Sequence, residues 1–519
     1  MKFEEFLEDF VPKLARKTRQ LNKAYWILET TGLQDAADLK AELDSELKLL
    51  FHSQDTYQNL LRWEKELEDP LLKRQCNVLI RAFKQNQIAK SLLEQISQKE
   101  ALLGQSYASF RPELEGQILS ENDIREILKR ENDPERRKKV WTASKQIGEV
   151  LAPQILEIVR LRNDSARFLG YPNYFEMQLE LQEVDPDWLF KTLEELVEKS
   201  DASYSATLRE IEERLKDRFQ TEDLGPWAWS EPFCQEDPMD THELDLLTEG
   251  VDIPKLGLDL YQRMGIDVKD VLLRSDMFER PNKNQHAFCM HVDRLGDIRT
   301  LNNVTSSIKW LETVFHELGH AIYEMGLHPD LPWLLKEPPH MIPTEAMALI
   351  AGRQAYLPHT LQELIGPGKE KLYEKAKLSL KRRQLIFSRW VMVMTLFERE
   401  LYKNPDQDLN ALWWDLVETY QKVRRPKGRE KAFDWAAKYH IGLAPVYYFS
   451  YLLGEMFASK IQETLQNELK QESLLHPKVG VFLKEKLFSS GNSMRWDELA
   501  ESVTRSPLSA DAWVKEFAT

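Results

Sequence analysis

From Phe3 to about Leu103, apolar residues recur every three or four positions, separated by Lys, Glu and Gln. That spacing lays an apolar stripe along a 3.6-residue helix and predicts amphipathic helices sharing a core. Asp133-Pro134-Glu135 has the cap and first-turn chemistry of a helix start. The helix it opens is predicted to run to about Phe168, where Gly170 and Pro172 stop it. Asp185-Pro186-Asp187 opens another, towards Phe219. Residues 221–240 (TEDLGPWAWSEPFCQEDPMD) carry Pro, Trp and acid without a period and predict an irregular, packed connection. One segment breaks the helical pattern: HAFCMHVDRLGDIRTLNNV, residues 286–304, reads as two short strands around the turn Asp293–Asp297. Helices resume near Ser307 and continue to the C-terminus. There is no repeat period and no Gly/Ser linker, which counts against an α-solenoid. The expected fold is all-α, a single unit over 1–519 with a small β-sheet beside its centre.

Asp and Glu number 85 against 70 Lys and Arg, a net charge of −15. The cation excess needed to hold a phosphate backbone or an anionic lipid surface is missing, so neither nucleic acid nor membrane is an expected partner. Cys76, Cys234 and Cys289 lie far apart, with no C-x-x-C. That excludes a disulfide framework and a thiolate metal site, and it fits a reducing compartment. The first ten residues contain four acids and no apolar run of signal length. No stretch approaches about 18 uninterrupted apolar residues. These features set the expectation of a soluble, cytoplasmic protein.

The chemistry concentrates in TVFHELGHAIYEMG, which contains His316-Glu317-Leu318-Gly319-His320. On a helix His316 and His320 lie about 40° apart around the axis and one turn apart along it, so both imidazoles can grip one metal ion. Glu317 falls on the adjacent strip, where a general base beside a metal-bound water belongs. A chance match is expected in roughly 2 of 100 chains of this composition. Ile308, Leu311, Phe315, Leu318 and Ile322 give this helix an apolar stripe. Two imidazoles and a carboxylate on a buried helix are costly unless paired or bound to metal.

A hydrolytic zinc site needs a third protein ligand and one position left for water. Six residues after His320 stands Gly326, not a third histidine. His328 and His340 are candidates, each in a Pro-containing loop. Glu345 is the better one: 25 residues after His320, it lies in TEAMALIAGRQAYL, which reads as a second helix able to pack on the first. A glutamate early in a helix also suits the helix dipole without any metal. Two histidines, one glutamate and an open position favour one Zn2+ per chain over cobalt or manganese. Glu317-x-x-His320 also matches the Glu-x-x-His element of di-iron bundles. The second copy it would need, Glu337-Pro338-Pro339-His340, cannot be helical.

HELGH with a glutamate about 25 residues on resembles the helical zinc peptidases that include thimet oligopeptidase, oligopeptidase F and angiotensin-converting enzyme. AAKYHIGLAPVYYFSYLLGEMFA, residues 436–458, is similar to the downstream His…Tyr-x-x-Tyr segment of these families. LRNDSARFLGYPNYFEM, residues 161–177, resembles a helix–turn that they share, and HAFCMHVD, residues 286–293, stands where they have a substrate-holding strand. The resemblance implies two helical halves around a deep groove that admits short peptides. It also implies a lid-like N-terminal part over 1–110 and a zinc-containing catalytic core over 280–460.

Carried over by resemblance, His316, His320 and Glu345 bind zinc and Glu317 activates water. His440 and Tyr451 donate to the oxyanion, with Tyr448 three residues earlier completing a tyrosine pair on one helical face. Tyr447 rivals Tyr448, because the spacing from His440 is off by about one. His286 and Ala287 match substrate-holding positions, and Lys438 matches an anchor for a terminal carboxylate. The chloride-binding arginine of the angiotensin-converting-enzyme group is replaced by Ser450. Cys289 reads as a small buried thiol. The implied activity is that of an oligopeptidase or peptidyl-dipeptidase. A carboxypeptidase releasing single residues is the alternative, and a non-catalytic helical scaffold is a third.

Overall fold

The computed structural model describes residues 2–239, 242–471 and 473–519. Helices dominate, with two small antiparallel hairpins among the described residues. The chain falls into two compact units. One comprises Met1–Gln87, Thr241–Lys377 and Leu453–Ala512; the other comprises Ile88–Asp240, Leu378–Leu452 and Trp513–Thr519.

The first unit opens with the helix Phe3–Thr31, whose start is fixed by the Glu5 carboxylate accepting the Lys2 backbone N–H at 2.9 Å. Phe3, Phe6, Phe10 and Leu14 share one face and are buried with Leu60, Trp63, Cys76, Leu79 and Phe83. Burying each such side chain contributes roughly 1.5–3 kcal/mol. The far half of the same helix braces a hairpin. Tyr25 and Trp26 pack on Phe288, with ring centroids 5.4 and 6.1 Å away. The Asn22 amide donates to the Val292 carbonyl at 3.1 Å, and the Asn284 N–H donates to the Glu29 carbonyl at 2.8 Å.

That hairpin is the predicted pair of strands. Phe288–His291 runs antiparallel to Ile298–Leu301, with Phe288 opposite Leu301 and His291 opposite Ile298. Asp293 Oδ1 accepts the N–H groups of Leu295 and Asp297, which closes the turn. The Val292 N–H donates to the Asp297 carbonyl at 2.8 Å and sets the phase of the ladder. Met290 and Phe288 therefore face Arg299 and Leu301 in hydrogen-bonded pairs. By the same alternation, the backbone N–H and C=O of Cys289 point away from the partner strand. The other strand is covered on its far edge by Asp276, whose N–H donates to Thr300 and whose carbonyl accepts from Asn302.

In the second unit, Pro186–Phe219 begins at the predicted Asp185 cap, whose carboxylate accepts the Trp188 N–H at 2.7 Å. The segment after it is irregular and packed, as its composition predicts. Trp227 and Trp229 are buried, and the Arg137 guanidinium donates to both of their carbonyls at 2.8 Å. The single helix predicted from Pro134 to Phe168 is instead two, Pro134–Ser144 and Ile147–Phe168. Tertiary contacts override local propensity there. The Lys145 ammonium sits 3.4 Å from the centroid of the Phe233 ring. The Gln146 side chain bonds the backbone N–H and carbonyl of Glu113. Glu113–Leu114 and Gln117–Ile118 form a small hairpin that the hydrophobic pattern does not announce.

Candidate active site

The helix Ile308–Gly326 starts where Ser307 Oγ accepts the Trp310 N–H at 3.2 Å. Its predicted stripe is buried, and Tyr261 Oη donates to the Phe315 carbonyl at 2.6 Å from behind. The helix Met341–Arg353 packs on its other side, and Gly319 allows that approach. A Cβ at Gly319 would lie 2.7 Å from Ala348 Cα and 3.1 Å from the Met347 carbonyl oxygen. Arg353 at the far end of the second helix is pinned to Glu455 and Ser459, both buried.

This packing brings together the histidines and one of the three proposed partners. Glu345 Oε2 lies 3.7 Å from His316 Nε2, and Glu345 Oε1 lies 3.8 Å from His320 Nε2. The edges of a tetrahedron with zinc-like bonds measure about 3.4 Å, so these donor atoms are spaced to surround one ion. Glu345 Oε2 is buried and accepts no hydrogen bond from the protein. His320 Nδ1 meets Thr344 Oγ1 at 2.7 Å, which leaves Nε2 to face the carboxylate. A hydrogen bond at the remote nitrogen is the usual device for orienting a ligating imidazole. The three side chains are the described group able to hold a metal ion, and they fit one.

The other candidates are placed differently. His340 caps the helix Met341–Arg353, its Nδ1 accepting the Ile342 N–H at 3.1 Å, and its ring lies against Trp496. His328 is exposed and its Nδ1 accepts the Asp330 N–H. Gly326 ends its helix against the Phe488 ring.

Burial sets the electrostatics. Glu345 is pushed up to about 8 by desolvation and then by Glu455. Glu317 is pushed up to about 8 by desolvation and then by Glu345. Desolvation depresses both imidazoles, His320 strongly and with help from His316. Without a cation the pocket prefers neutral groups, and a bound divalent cation reverses that preference. This has a consequence for stability. The ordinary glutamate value is 4.5, so in metal-free protein the two carboxyls bind more protons folded than unfolded up to about pH 8. Stability conferred by their neutral forms is lost as pH rises through that range. Below 6.5 the depressed imidazoles oppose the trend, because they lose stability as pH falls. The metal-free denaturation midpoint should therefore fall between about pH 6.5 and 8, and more steeply than that of zinc-loaded protein, which keeps only the fall due to buried carboxyls elsewhere, such as Glu398. Denaturant titrations of chelated and zinc-loaded protein check this, and a metal-free midpoint that rises over the window contradicts it.

The remaining predicted residues divide between the units. His286 is exposed, with its N–H on Asn284 Oδ1, and Ala287 immediately precedes the strand Phe288–His291. The Cys289 thiol on that strand is pushed well up by burial, then by Glu317 and Glu324. His291 ties the strand to the metal-site helix, its Nδ1 2.9 Å from Glu324 Oε2 and its Nε2 accepting the Gly296 N–H. His440, Lys438, Tyr448 and Tyr451 belong to the second unit.

Lys438 is buried, with its ammonium 3.2 Å from Gln235 Oε1 and over the rings of Trp390, Phe233 and Tyr448. Desolvation pulls it down to about 8, partly offset by Glu231. Tyr448 precedes the helix Phe449–Leu469, so it is not on one helical face with Tyr451. Its hydroxyl accepts from Trp390 Nε1 at 2.9 Å and donates to Gln235 Oε1 at 3.3 Å. Tyr447 and Tyr451 are half-buried, and their rings meet edge to face at 5.1 Å. The ring of His440 packs on Tyr448 at 4.8 Å. Gln235 escaped sequence reasoning because it lies about 200 residues from Lys438 in an aperiodic segment. Glu231 fixes that segment by accepting the N–H groups of Phe233 and Gln235.

Residues 271–519 match the family model of Peptidase family M3, and residues 1–224 match that of Angiotensin-converting enzyme. Both are families of zinc peptidases of the gluzincin class. The first match contains His316, His320 and Glu345 together with Glu317, His440 and Tyr451. No curated protein matches the chain.

Proposed function

We propose that this chain, similar in its first part to one gluzincin family and in its second part to another, is a zinc metallopeptidase that hydrolyses peptide bonds in short peptides. In this reading His316, His320 and Glu345 hold one zinc ion. The observation that carries it is a buried carboxylate, with one oxygen free of hydrogen bonds, facing two imidazole nitrogens at 3.7 and 3.8 Å. When bound, zinc supplies Lewis acidity and lowers the pKa of a water from 15.7 to roughly 7.

Glu317 accepts the proton of the attacking water and later delivers a proton to the leaving amine. Its burial keeps bulk water from competing for that proton. His440 and Tyr451, by resemblance, donate to the oxyanion; one such donor is worth about 3 kcal/mol. Tyr451→Phe should therefore lower kcat at least tenfold with little change in KM. Steady-state kinetics on one peptide check this, and an unchanged kcat removes Tyr451 from the role. The outward-facing backbone of Cys289 supports a further element, in which an extended peptide adds to the strand Phe288–His291 as a third strand. Such pairing orients the scissile bond and reads little side-chain identity.

No helix among the described residues is long and apolar enough to cross a membrane. All three cysteines are free, which supports the proposal of a reducing, cytoplasmic location. Mass spectrometry of products from a peptide mixture, with and without chelator, tests the activity. Internal fragments or dipeptides that vanish on chelation are the expected result, and chelator-resistant cleavage would sink the proposal. The Lys438 ammonium, buried beside Gln235, favours exopeptidase action as a second reading, since it suits a terminal carboxylate. C-terminal amidation separates the cases: an exopeptidase stops at an amidated peptide and an endopeptidase does not.

A further inference from the structure

Ten non-glycine residues among those described have positive φ, and Val446, at 55°, is the β-branched one. A β-branched side chain in the left-handed region is a steric outlier that persists only where its surroundings over-determine it. Val446 lies between His440 and Tyr451 and is buried. Both of its backbone polar groups are captured from within the same unit. Its N–H donates to Glu398 Oε1 at 3.0 Å, and its carbonyl accepts from Gln182 Nε2 at 3.1 Å. Three residues later begins the helix Phe449–Leu469 that carries Tyr451, whose N–H donates to the Tyr448 carbonyl at 3.2 Å. Local sequence does not explain the turn: Pro445 restricts the residue before it, and a glycine would suit position 446 better than valine.

We propose that Glu398 is a positioning residue: by accepting the Val446 N–H it holds a strained turn that sets the orientation of His440, Tyr447 and Tyr451. This rests on the roles proposed above for His440 and Tyr451. Glu398 is about 1% exposed on the helix Glu370–Lys403. Nearby, Arg162 bonds the Tyr402 hydroxyl at 3.1 Å and Glu100 at 2.7 Å. Burial pushes the Glu398 carboxyl up to about 8, while the Val446 N–H and Arg162 draw it down. A carboxyl so deeply buried is costly unless it is hydrogen-bonded, and the Val446 N–H supplies such a bond.

The test is a strain-relief cycle in the full-length, zinc-loaded chain, read as kcat and KM on one short peptide, with a thermal melt and zinc content for each variant. Glu398→Leu removes the acceptor and should lower kcat at least tenfold, leaving KM within about threefold and zinc content unchanged. Glu398→Gln keeps an acceptor oxygen and should lose less than threefold. Adding Val446→Gly to Glu398→Leu removes the steric cost of the turn and should recover most of the lost kcat. A purely structural role predicts no recovery, because the added glycine only loosens the unfolded chain. Wild-type kcat in Glu398→Leu, or a loss that Val446→Gly does not repair, overturns the proposal. Should Glu398→Leu not fold, Gln182→Leu carries the same expectation of loss and glycine rescue, and failure of that rescue also overturns it. A wild-type chain without chelator-sensitive peptidase activity would instead refute the function on which the proposal rests.

Discussion

Glu317→Gln should give a folded protein that binds one zinc ion and hydrolyses peptides about a thousandfold more slowly than the wild type, within the range expected for losing a general base. The substitution is nearly isosteric, so the helix Ile308–Gly326 and its packing stay as they are. His316, His320 and Glu345 keep their donor atoms, so metal content should not change. What disappears is the one carboxylate that lies on the adjacent strip of the same helix and is not needed for the metal. In the metal-free pocket its carboxyl is pushed up to about 8, by burial first and Glu345 second. A cation beside it lowers that value and makes it a base near neutral pH. The variant is checked by kcat on a fluorogenic peptide together with zinc analysis of the same sample. A wild-type rate would remove Glu317 from the chemistry.

Gly319→Ala should have an effect of similar size by a different route. The added Cβ meets backbone, at 2.7 Å from Ala348 Cα and 3.1 Å from the Met347 carbonyl oxygen, and backbone cannot rotate away. Met341–Arg353 must move outward and carry Glu345 with it. Zinc affinity should fall at least a hundredfold, and overpacking should cost about 1–3 kcal/mol of stability. Gly352→Ala is the control on the facing helix. Its Cβ would meet Glu312 and His316 Cβ at 3.5 Å, an ordinary contact. It should keep zinc and gain up to about 1 kcal/mol from helix propensity. Competition titration against a zinc chelator and thermal melts of both variants check the contrast, and equal behaviour would show that close approach at Gly319 does not set the site.

Much of the metal group is legible in the chain itself. HELGH fixes its own geometry, because helical spacing alone places His316 beside His320. The hairpin at 288–301 is legible for a similar reason: two runs broken by Asp293 and Gly296 have few alternatives. The third ligand is narrowed at the level of sequence to Glu345 ahead of His328 and His340, which lie in Pro-containing loops, and how two helices pack completes the choice. Gly319 decides that packing, and its meaning appears only once Ala348 is seen against it. Lys438 with Gln235, and Val446 with Glu398, are illegible because each pair joins distant segments through a single hydrogen bond. The break at Lys145 escapes the hydrophobic pattern because cation–π packing on Phe233 leaves no periodic trace.

The most direct test of the central claim is the zinc-to-chain ratio after exhaustive dialysis, for the wild type and for His316→Ala/His320→Ala/Glu345→Ala. One zinc per wild-type chain and none in the triple variant is the predicted result. A wild-type chain that holds no metal, or a triple variant that holds as much as the wild type, would contradict it.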